Sequence, residues 1–351
     1  MKKTKNIKIG TVGVVGSGSF GKAIAYLLAI NCDVLMFTRR SELAHQINTK
    51  HEVDGIAMSE RILATSDLAE FASKCMVIFP VVPSNKFREM MQSLGPYLTP
   101  AHILIHGTKG FDLVGLDYKN LTNSNISRDN IRTMSEVILE ESSVIRVGCL
   151  SGPNLSGEIL EGQPTASLVG SIFDEVIEVA QQALNSKKFH LFGSRGILGA
   201  ELAGALKNIY AIGSGILAGV GLGRNIQAML ISRGLIEMIY FGKAMGAKPE
   251  AFLGTAGVGD LIATATSTQS RNYIFGTRLG KGESFDQIMQ TLPELAEGVR
   301  TLKISHELSR HYKLHVPITN MLYNIVYNDL DIDRAINMLM DYPFNIDVDF
   351  L

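Results

Sequence analysis

A glycine-rich turn between two apolar runs most constrains what this chain can fold into. Residues 8–15 form a compact apolar run that ends at Gly16, and Gly18 and Gly21 follow. Gly16 permits a tight turn, Gly18 lets the backbone approach a pyrophosphate, and Gly21 allows a helix to pack closely on a strand. The alternative is a structural turn without a ligand. Because a helical pattern and a second apolar run, residues 34–38, come next, the order favours a strand–helix–strand unit that binds a dinucleotide.

Further apolar runs extend this pattern. Buried strands are predicted at residues 76–82, 103–106 and 144–149, and each runs into a turn that contains glycine or proline. Open parallel sheets bind ligands outside the carboxyl ends of their strands, so a site is expected at these turns. Residues 117–129 are polar and predict a loop.

The second part of the chain has a different pattern. From about Gly196 strand-like runs give way to long helical patterns that are rich in Ala, Gly, Leu and Met. We therefore expect an α/β Rossmann-type dinucleotide-binding domain over residues 1–196, followed by an all-α C-terminal domain over residues 197–351.

Composition excludes several classes of protein. The chain is 46% hydrophobic and has a formal net charge of -1, which argues against disorder and against general nucleic-acid binding. Residues 209–222 are apolar but too few to cross a bilayer, so no integral membrane segment is expected. The three cysteines, Cys32, Cys75 and Cys149, are scattered and form no metal-ligand cluster. They favour reduced thiols in a cytoplasmic protein, with no metal.

Two arginines stand where the cofactor is chosen. In an NAD-binding fold the second strand ends near an acid that bonds the ribose 2′-hydroxyl, whereas an arginine there accommodates the 2′-phosphate of NADP. Here the run 34–38 is followed by Arg39 and Arg40. A guanidinium offers paired donors to phosphate oxygens, although both residues could equally be solvated in a loop. We expect NADP(H) binding without exclusion of NAD(H).

A lysine interrupts an apolar helical pattern. Lys207 has Ala203, Gly204, Tyr210 and Ala211 at helical spacing on its face. Lysine is seldom buried without a partner, and a partly desolvated lysine can transfer protons near neutral pH. The alternative is a side chain that extends to solvent along its stem.

A second polar group follows. Asp260 lies between glycines and an apolar run, where a carboxylate needs partners. Ser270 is predicted to cap the next helix, which would place Arg271 and Asn272 in its first turn. An arginine opposes the helix dipole there unless an anion such as phosphate stands between them. A plain surface helix start remains the alternative.

Together these residues resemble one family, the NAD(P)-dependent glycerol-3-phosphate dehydrogenases in their bacterial form. The resemblance spans roughly residues 8–330 and rests on motifs in family order, namely GSGSFGKAIA, VVPS, HGTKGFD, SGPN, GALKNIYAIGSGILAGVGLGRN, SRGLIEM, GVGDLIAT, QSRN, EGVRT and PIT. The combination of TKG, ALKN, GDL and SRN is far more specific than the glycine turn alone.

The resemblance assigns roles residue by residue. Gly16, Gly18, Gly21 and Arg40 are already candidate cofactor contacts from the sequence pattern. The resemblance implies further cofactor contacts at Ser19, Phe20, Arg39, Lys109, Ser156, Arg271, Leu295 and Glu297. It implies substrate contacts at Lys109, Gly152, Asn154, Asn208, Asp260, Thr264, Ser270, Arg271 and Asn272. The catalytic residues that it implies are Lys207, Lys109 and Asp260.

The implied reaction is hydride transfer between NADP(H) or NAD(H) and a three-carbon phosphate. An oxidoreductase of this family reduces dihydroxyacetone phosphate reversibly to sn-glycerol 3-phosphate, which feeds glycerophospholipid synthesis. Lys207 is expected to give the carbonyl oxygen its proton, Lys109 to polarise that oxygen, and Asp260 to orient Lys207. A homodimer is the family expectation.

The chain departs from the family pattern in two loops, and two other functions stay open. Residues 51–61 lack the longer loop with a Leu-Pro-Gly turn, and residues 117–129 are extended. A dehydrogenase acting on a β-hydroxyacid or ketopantoate is disfavoured by the SRN segment. A non-catalytic dinucleotide sensor is disfavoured by the presence of Lys109, Lys207 and Asp260 together.

Overall fold

A computed structural model describes residues 9–122, 124–292 and 296–342. The chain divides into two compact units, with transitions at Asp112/Leu113, Arg132/Thr133 and Ile197/Leu198. Residues 1–112 and 133–197 belong to unit 1, and residues 113–132 and 198–351 belong to unit 2. The transition at Ile197/Leu198 lies next to the boundary predicted between residues 196 and 197. That single boundary does not describe residues 113–132, which belong to unit 2.

Unit 1 contains a sheet of eight strands in the order β12-β11-β10-β7-β6-β1-β2-β5. Its strands are β1 (Val12–Val15), β2 (Val34–Phe37), β5 (Ile62–Thr65), β6 (Val77–Pro80), β7 (Ile103–His106), β10 (Arg146–Ser151), β11 (Thr165–Gly170) and β12 (Phe189–Ser194). Two short ladders are formed by β3 (Glu52–Val53) with β4 (Ile56–Ala57) and by β8 (Asp112–Leu113) with β9 (Ile131–Arg132). Only the β10–β11 pair of the large sheet is antiparallel.

Helices cover both faces of this sheet, as buried apolar strands require. They are α1 (Ser19–Leu28), α2 (Ser41–Lys50), α3 (Leu68–Lys74), α4 (Phe87–Leu94), α5 (Met134–Glu141), α6 (Ser156–Leu160) and α7 (Asp174–Leu184). One apolar core includes side chains of α1, α2, α6 and α7, and another includes those of α3, α4 and α5. The strands predicted from the sequence are confirmed, with ends shifted by up to four residues.

Unit 2 is helical, as predicted. Its helices are α8 (Ile197–Gly219), α9 (Arg224–Ala244), α10 (Asp260–Thr266), α11 (Arg271–Gly280), α12 (Phe285–Thr291), α13 (Glu297–Tyr312), α14 (Pro317–Tyr327) and α15 (Ile332–Met340). Helices α8 and α11 pack backbone against backbone, since a Cβ atom on Gly276 would lie 2.0 Å from the Ile212 carbonyl oxygen. Across the described ranges no helix is both long and apolar enough to span a membrane.

The predicted loop at residues 117–129 contains two short 3₁₀ turns, Tyr118–Asn120 and Arg128–Asn130. It packs against helices of unit 2. The hydroxyl groups of Tyr118 and Tyr327 lie 3.0 Å apart, and the guanidinium of Arg300 lies 4.8 Å from the centre of the Tyr118 ring. These contacts explain why residues 113–132 belong to the helical unit.

A buried carboxylate holds the start of α14. Glu237 is 3% exposed and accepts hydrogen bonds from the backbone N–H groups of Ile318 (2.6 Å) and Thr319 (2.9 Å). The hydroxyl groups of Thr319 and Tyr210 also donate to it. Glu237 therefore caps a helix that its own helix, α9, packs against. Burial raises the pKa of Glu237 from 4.5 to about 7, although these hydrogen bonds oppose the shift.

This shift predicts a pH-dependent stability. Because the pKa of Glu237 is higher in the folded state, its contribution is complete below about pH 4.5 and is lost as pH rises through about 7. The free energy of unfolding should fall over this range by up to about 3 kcal/mol more in the wild type than in the Glu237→Gln variant. Denaturant unfolding at several pH values measures the difference. Parallel pH profiles for the two proteins would contradict it.

Candidate active site

The glycine turn of unit 1 has the geometry that its sequence predicts. Gly16 has a φ of +123°, in the region that favours glycine, and a Cβ atom there would lie 2.9 Å from the Val81 carbonyl oxygen. A Cβ atom on Gly21 would lie 1.9 Å from the Gly16 carbonyl oxygen. Gly18 precedes α1 and supplies no side-chain cap to its first N–H groups. The turn therefore forms a cradle at a helix N-terminus that suits a pyrophosphate.

Residues around the turn are arranged at the same edge of the sheet. Ser19 begins α1 and is exposed. The Phe20 ring lies over Gly107, where a Cβ atom would lie 2.7 Å from the ring. The hydroxyl groups of Ser17 and Thr38 lie 3.5 Å apart and connect the turn to the end of β2. The glycine of the HGTKG motif thus leaves room for a side chain that the resemblance places against the cofactor.

Arg39 and Arg40 are both exposed at the end of β2. The Arg39 guanidinium lies 3.8 Å from the Glu89 carboxylate, and the two side chains are 82% and 60% exposed. Such a solvated pair contributes little to stability, so it can yield to a stronger anion. Arg40 precedes α2, and its backbone N–H donates to the Thr38 hydroxyl at 3.4 Å.

An ion pair between a buried lysine and an exposed aspartate lies near the turn and was not predicted from the sequence. Lys22 is 7% exposed and its Nζ atom lies 2.7 Å from the Asp54 carboxylate at the tip of the β3–β4 hairpin. The hairpin occupies the short loop at residues 51–61. The signal available in the sequence is a lysine directly after the glycine motif, in the predicted helix. This pair ties the shortened loop to the helix that begins at the nucleotide turn.

A polar group also lies at the ends of β7 and β10. Lys109 donates from Nζ to the Gly152 carbonyl oxygen at 2.9 Å, and Gly152 has a φ of +146°. The Asn154 amide donates to the Ser167 hydroxyl at 2.9 Å. Among the described residues, the buried Oδ1 atom of Asn154 and the buried Oγ atom of Ser151 have no hydrogen-bond partner.

Those two oxygen atoms are available to a ligand or to water. A buried polar group without a partner costs free energy, and ligand sites are a common explanation for one. Because Oδ1 of Asn154 can only accept a hydrogen bond, it fits a hydroxyl group of a small substrate. Ser156 begins α6 two residues later.

In unit 2, Lys207 is buried and paired as expected. It is 4% exposed, its Nζ atom donates to the carboxylate of Asp260, and Asp260 is 1% exposed. Nζ also donates to the Thr264 hydroxyl at 2.5 Å. Asp260 and Thr264 lie one turn apart on α10, so one face of that helix holds the ammonium group. The Lys207 side chain does not extend to bulk solvent.

The neighbouring asparagines form a second buried network. The Asn272 amide donates to the Asn208 Oδ1 atom at 2.9 Å and accepts at its own Oδ1 atom from the Gly298 N–H at 2.9 Å. Asn208 follows Lys207 on α8, and Gly298 lies in the first turn of α13, which begins at Glu297. The orientation of Asn272 is therefore fixed by the protein.

The start of α11 matches its prediction. Ser270 is the residue before the helix, and its hydroxyl accepts from the Tyr273 N–H at 3.3 Å. Arg271 is exposed in the first turn, whereas Asn272 is 7% exposed. Leu295, which the resemblance places at the cofactor, lies outside the described residues.

The structure thus forms two groups of predicted site residues. The group in unit 1 comprises Gly16, Gly18, Ser19, Phe20, Gly21, Arg39, Arg40, Lys109, Gly152, Asn154 and Ser156. The group in unit 2 comprises Lys207, Asn208, Asp260, Thr264, Ser270, Arg271, Asn272 and Glu297. Their assignment to substrate and cofactor remains a prediction.

Comparison with known proteins identifies the family. Residues 11–177 match the model of the NAD-dependent glycerol-3-phosphate dehydrogenase N-terminus, and residues 196–337 match that of the C-terminus. A glycerol-3-phosphate dehydrogenase (NAD(P)+) of Pseudomonas aeruginosa is 38% identical over 97% of both chains. The corresponding protein of Saccharophagus degradans is 36% identical over 97% of this chain and 92% of its own length.

A solved structure agrees with these matches. A crystal structure of glycerol-3-phosphate dehydrogenase from Coxiella burnetii is 29% identical, covers 95% of this chain and 99% of its own, and superposes with a TM-score of 0.84. Both halves of the chain therefore match the same family. The chain belongs to the NAD-dependent glycerol-3-phosphate dehydrogenase family.

Proposed function

We propose that this protein catalyses the reversible NAD(P)H-dependent reduction of dihydroxyacetone phosphate to sn-glycerol 3-phosphate, in the direction that feeds glycerophospholipid synthesis. The observation that supports this most is the buried cluster of Lys207, Asp260 and Thr264. A lysine held by a carboxylate and a hydroxyl is a costly arrangement for stability alone, and it suits a group that transfers a proton. Family membership supplies the substrate and the cofactor class.

The nucleotide turn fits a dinucleotide cofactor. Gly16, Gly18 and Gly21 leave room for the pyrophosphate at the start of α1, and Ser19 and Phe20 lie beside it. When bound, the nicotinamide supplies hydride to C2 of the substrate or accepts it in the reverse direction.

Lys207 supplies the proton. During reduction negative charge grows on the C2 oxygen, and the ammonium group of Lys207 donates a proton to it. Asp260 keeps this lysine charged and oriented, and Thr264 fixes the position of Nζ through the second hydrogen bond. In the reverse direction the neutral amine accepts the proton.

Polar residues supply the contacts that the substrate needs. Arg271 and Asn272, with Ser270, bind the phosphate at the start of α11, where the guanidinium adds a charge-assisted contact. Asn154 accepts a hydrogen bond from a substrate hydroxyl at its buried Oδ1 atom, and Gly152 orients Lys109. Binding energy away from C2 then fixes the reacting geometry.

A single assay tests the proposal. Purified protein should oxidise NADPH or NADH when dihydroxyacetone phosphate is added, followed by the absorbance of the reduced nicotinamide. Ketopantoate and a β-hydroxyacid are the control substrates. Cofactor binding without turnover would instead favour the dinucleotide sensor, and preference for either control substrate would favour the other dehydrogenases.

Cofactor preference should depend on Arg39 and Arg40. The double change Arg39→Ala, Arg40→Ala should raise KM for NADPH by roughly ten- to hundredfold, because one charge-assisted pair with the 2′-phosphate is lost. KM for NADH should hardly change, since the ribose 2′-hydroxyl carries no charge. Steady-state kinetics with both cofactors measure this. If the double variant has the same KM values for NADPH and NADH as the wild type, Arg39 and Arg40 are ordinary loop residues.

We also propose a cytoplasmic homodimer. The family resemblance supports the dimer, and the three buried cysteines, none in a disulfide, support a reducing compartment. Light scattering of the purified protein gives the oligomeric state directly, and fractionation of cells gives the compartment.

A further inference from the structure

A cavity of about 430 Å³ opens on unit 1, at the ends of α1 and α6 that point away from the nucleotide turn. Its floor is apolar and consists of Leu27, Ile159 and Phe189, which are 4%, 3% and 0% exposed. Tyr26 and Ile30 line it too, and they are among the exposed large hydrophobic residues. The volume lies within the range of about 300–1,000 Å³ that small-molecule sites occupy.

The mouth of this cavity is positively charged. Lys187 and Lys188 line it, and both are exposed. The Lys188 Nζ atom lies 3.2 Å from the position that a Cβ atom would take on Gly162.

A hydroxyl group stands beside the same glycine. The Tyr26 hydroxyl lies 3.9 Å from that Cβ position, so an ammonium group and a phenol donor converge where Gly162 leaves space. Gly162 has a φ of +72°, which a side chain rarely adopts. An apolar floor with two donors at one rim matches a ligand that has an apolar body and one anionic end.

The walls of the cavity are held in place by polar contacts. The Asn31 amide, directly after α1, donates to the carbonyl oxygens of Ala183 and Asn185, each at 3.0 Å. These bonds fasten the end of α1 to the end of α7. The side of the cavity at Asn31 is therefore tied to α7.

Two elements join the cavity to the predicted cofactor residues. Helix α1 carries Ser19 at its first turn and Tyr26 and Leu27 near its last. Helix α6 carries Ser156 at its start and Ile159 at the cavity floor. A ligand that shifts α1 and α6 at the cavity would also shift Ser19 and Ser156 at the other ends of these helices. Such a shared movement would couple the two sites.

We propose that this cavity is a binding site for a small amphipathic anion, a short alkyl chain or ring that carries one acidic group, and that its occupancy changes the affinity for NADPH. The site does not overlap the residues assigned to catalysis. It does not depend on which substrate the protein reduces.

Calorimetric titration with monomeric decanoate, at saturating NADPH, tests the site. Decanoate should bind, and the double change Lys187→Gln, Lys188→Gln should weaken it roughly fivefold, the size expected for exposed charges. The uncharged analogue decanol should bind both proteins equally. Lys50→Gln, which removes an exposed lysine of α2 outside the cavity, is the matched control and should change nothing.

Further arms separate the alternatives. Ile30→Ala should weaken decanoate and decanol alike, because it removes part of the apolar wall and no hydrogen-bond donor. Without decanoate the Kd for NADPH should be the same in the wild type and the double variant. With decanoate it should shift in both, and the double variant should need roughly fivefold more decanoate to reach half of the shift.

Several results would overturn the proposal. Equal decanoate affinity in the wild type and the double variant would show that Lys187 and Lys188 do not bind the anionic group. Competition between decanoate and dihydroxyacetone phosphate would place the anion at the substrate site instead. Binding to phosphatidylglycerol vesicles without binding of monomeric decanoate would identify a membrane contact, and an unchanged NADPH Kd would exclude coupling.

Discussion

Replacing Lys207 with alanine is expected to lower kcat by about 10² or more, the usual size of a general acid–base contribution. The ammonium group is the only part of this side chain that the mechanism uses, and Asp260 and Thr264 hold it in place. Cofactor binding should change little, because the nucleotide turn belongs to unit 1. Steady-state kinetics and a separate NADPH titration measure the two effects.

This variant needs a second one beside it. Removing Lys207 leaves the carboxylate of Asp260 buried without its cation, which costs about 3–5 kcal/mol and threatens folding. Lys207→Arg keeps the charge but carries a guanidinium that does not release a proton near neutral pH. It should fold, as thermal unfolding would show, and still lose most of kcat.

A matched control and a pH profile complete the test. Lys248→Ala removes an exposed lysine of unit 2 and should leave kcat unchanged. The dependence of kcat on pH should lose the limb that reports the protonation of Lys207 in the arginine variant. Near-normal turnover in either Lys207 variant would make this lysine structural.

Arg271→Ala is expected to weaken dihydroxyacetone phosphate by roughly ten- to hundredfold, since a charge-assisted contact contributes about 1.5–3 kcal/mol. Arg271 is exposed in the first turn of α11. Dihydroxyacetone, which lacks the phosphate, should be affected far less. The ratio of kcat/KM for the two substrates is the informative quantity.

The control lies on the same helix. Arg278 pairs with Glu283 near the end of α11, so Arg278→Ala removes an equal charge away from the first turn. It should leave the substrate ratio unchanged. If Arg271→Ala weakens both substrates by the same factor, Arg271 does not bind the phosphate.

The local features of the fold were predictable from the sequence because their causes are local. The positive φ of Gly16 and the close approach of Gly21 to the Gly16 carbonyl oxygen depend on a few consecutive residues. The glycine spacing in the sequence therefore indicates both features directly. The capping of α11 by Ser270 also depends only on residues that are close in the sequence. Strands β6, β7 and β10 were found because continuous apolar runs mark strands that are buried on both faces.

Elements with weaker local signals were missed. Strands β5, β11 and β12 mix apolar with polar or exposed residues, and β11 reverses direction against β10. Their pairing depends on neighbours far along the chain. The hairpin pair Lys22–Asp54 joins residues 32 apart, and no periodicity indicates it.

The sequence by itself determined that this chain binds a dinucleotide, that a helical region follows, and that a lysine stands in an apolar helix. It also identified the family, because the family motifs and their order can be recognised without a structure. The tertiary structure alone decided which side chains meet. Asp260 lies 53 residues from Lys207, and Tyr118 lies 209 residues from Tyr327, which places residues 113–132 in the helical unit. The physical reason is that burial and packing bring together groups that no local pattern connects, and only their contacts set the charge, orientation and surroundings of the site.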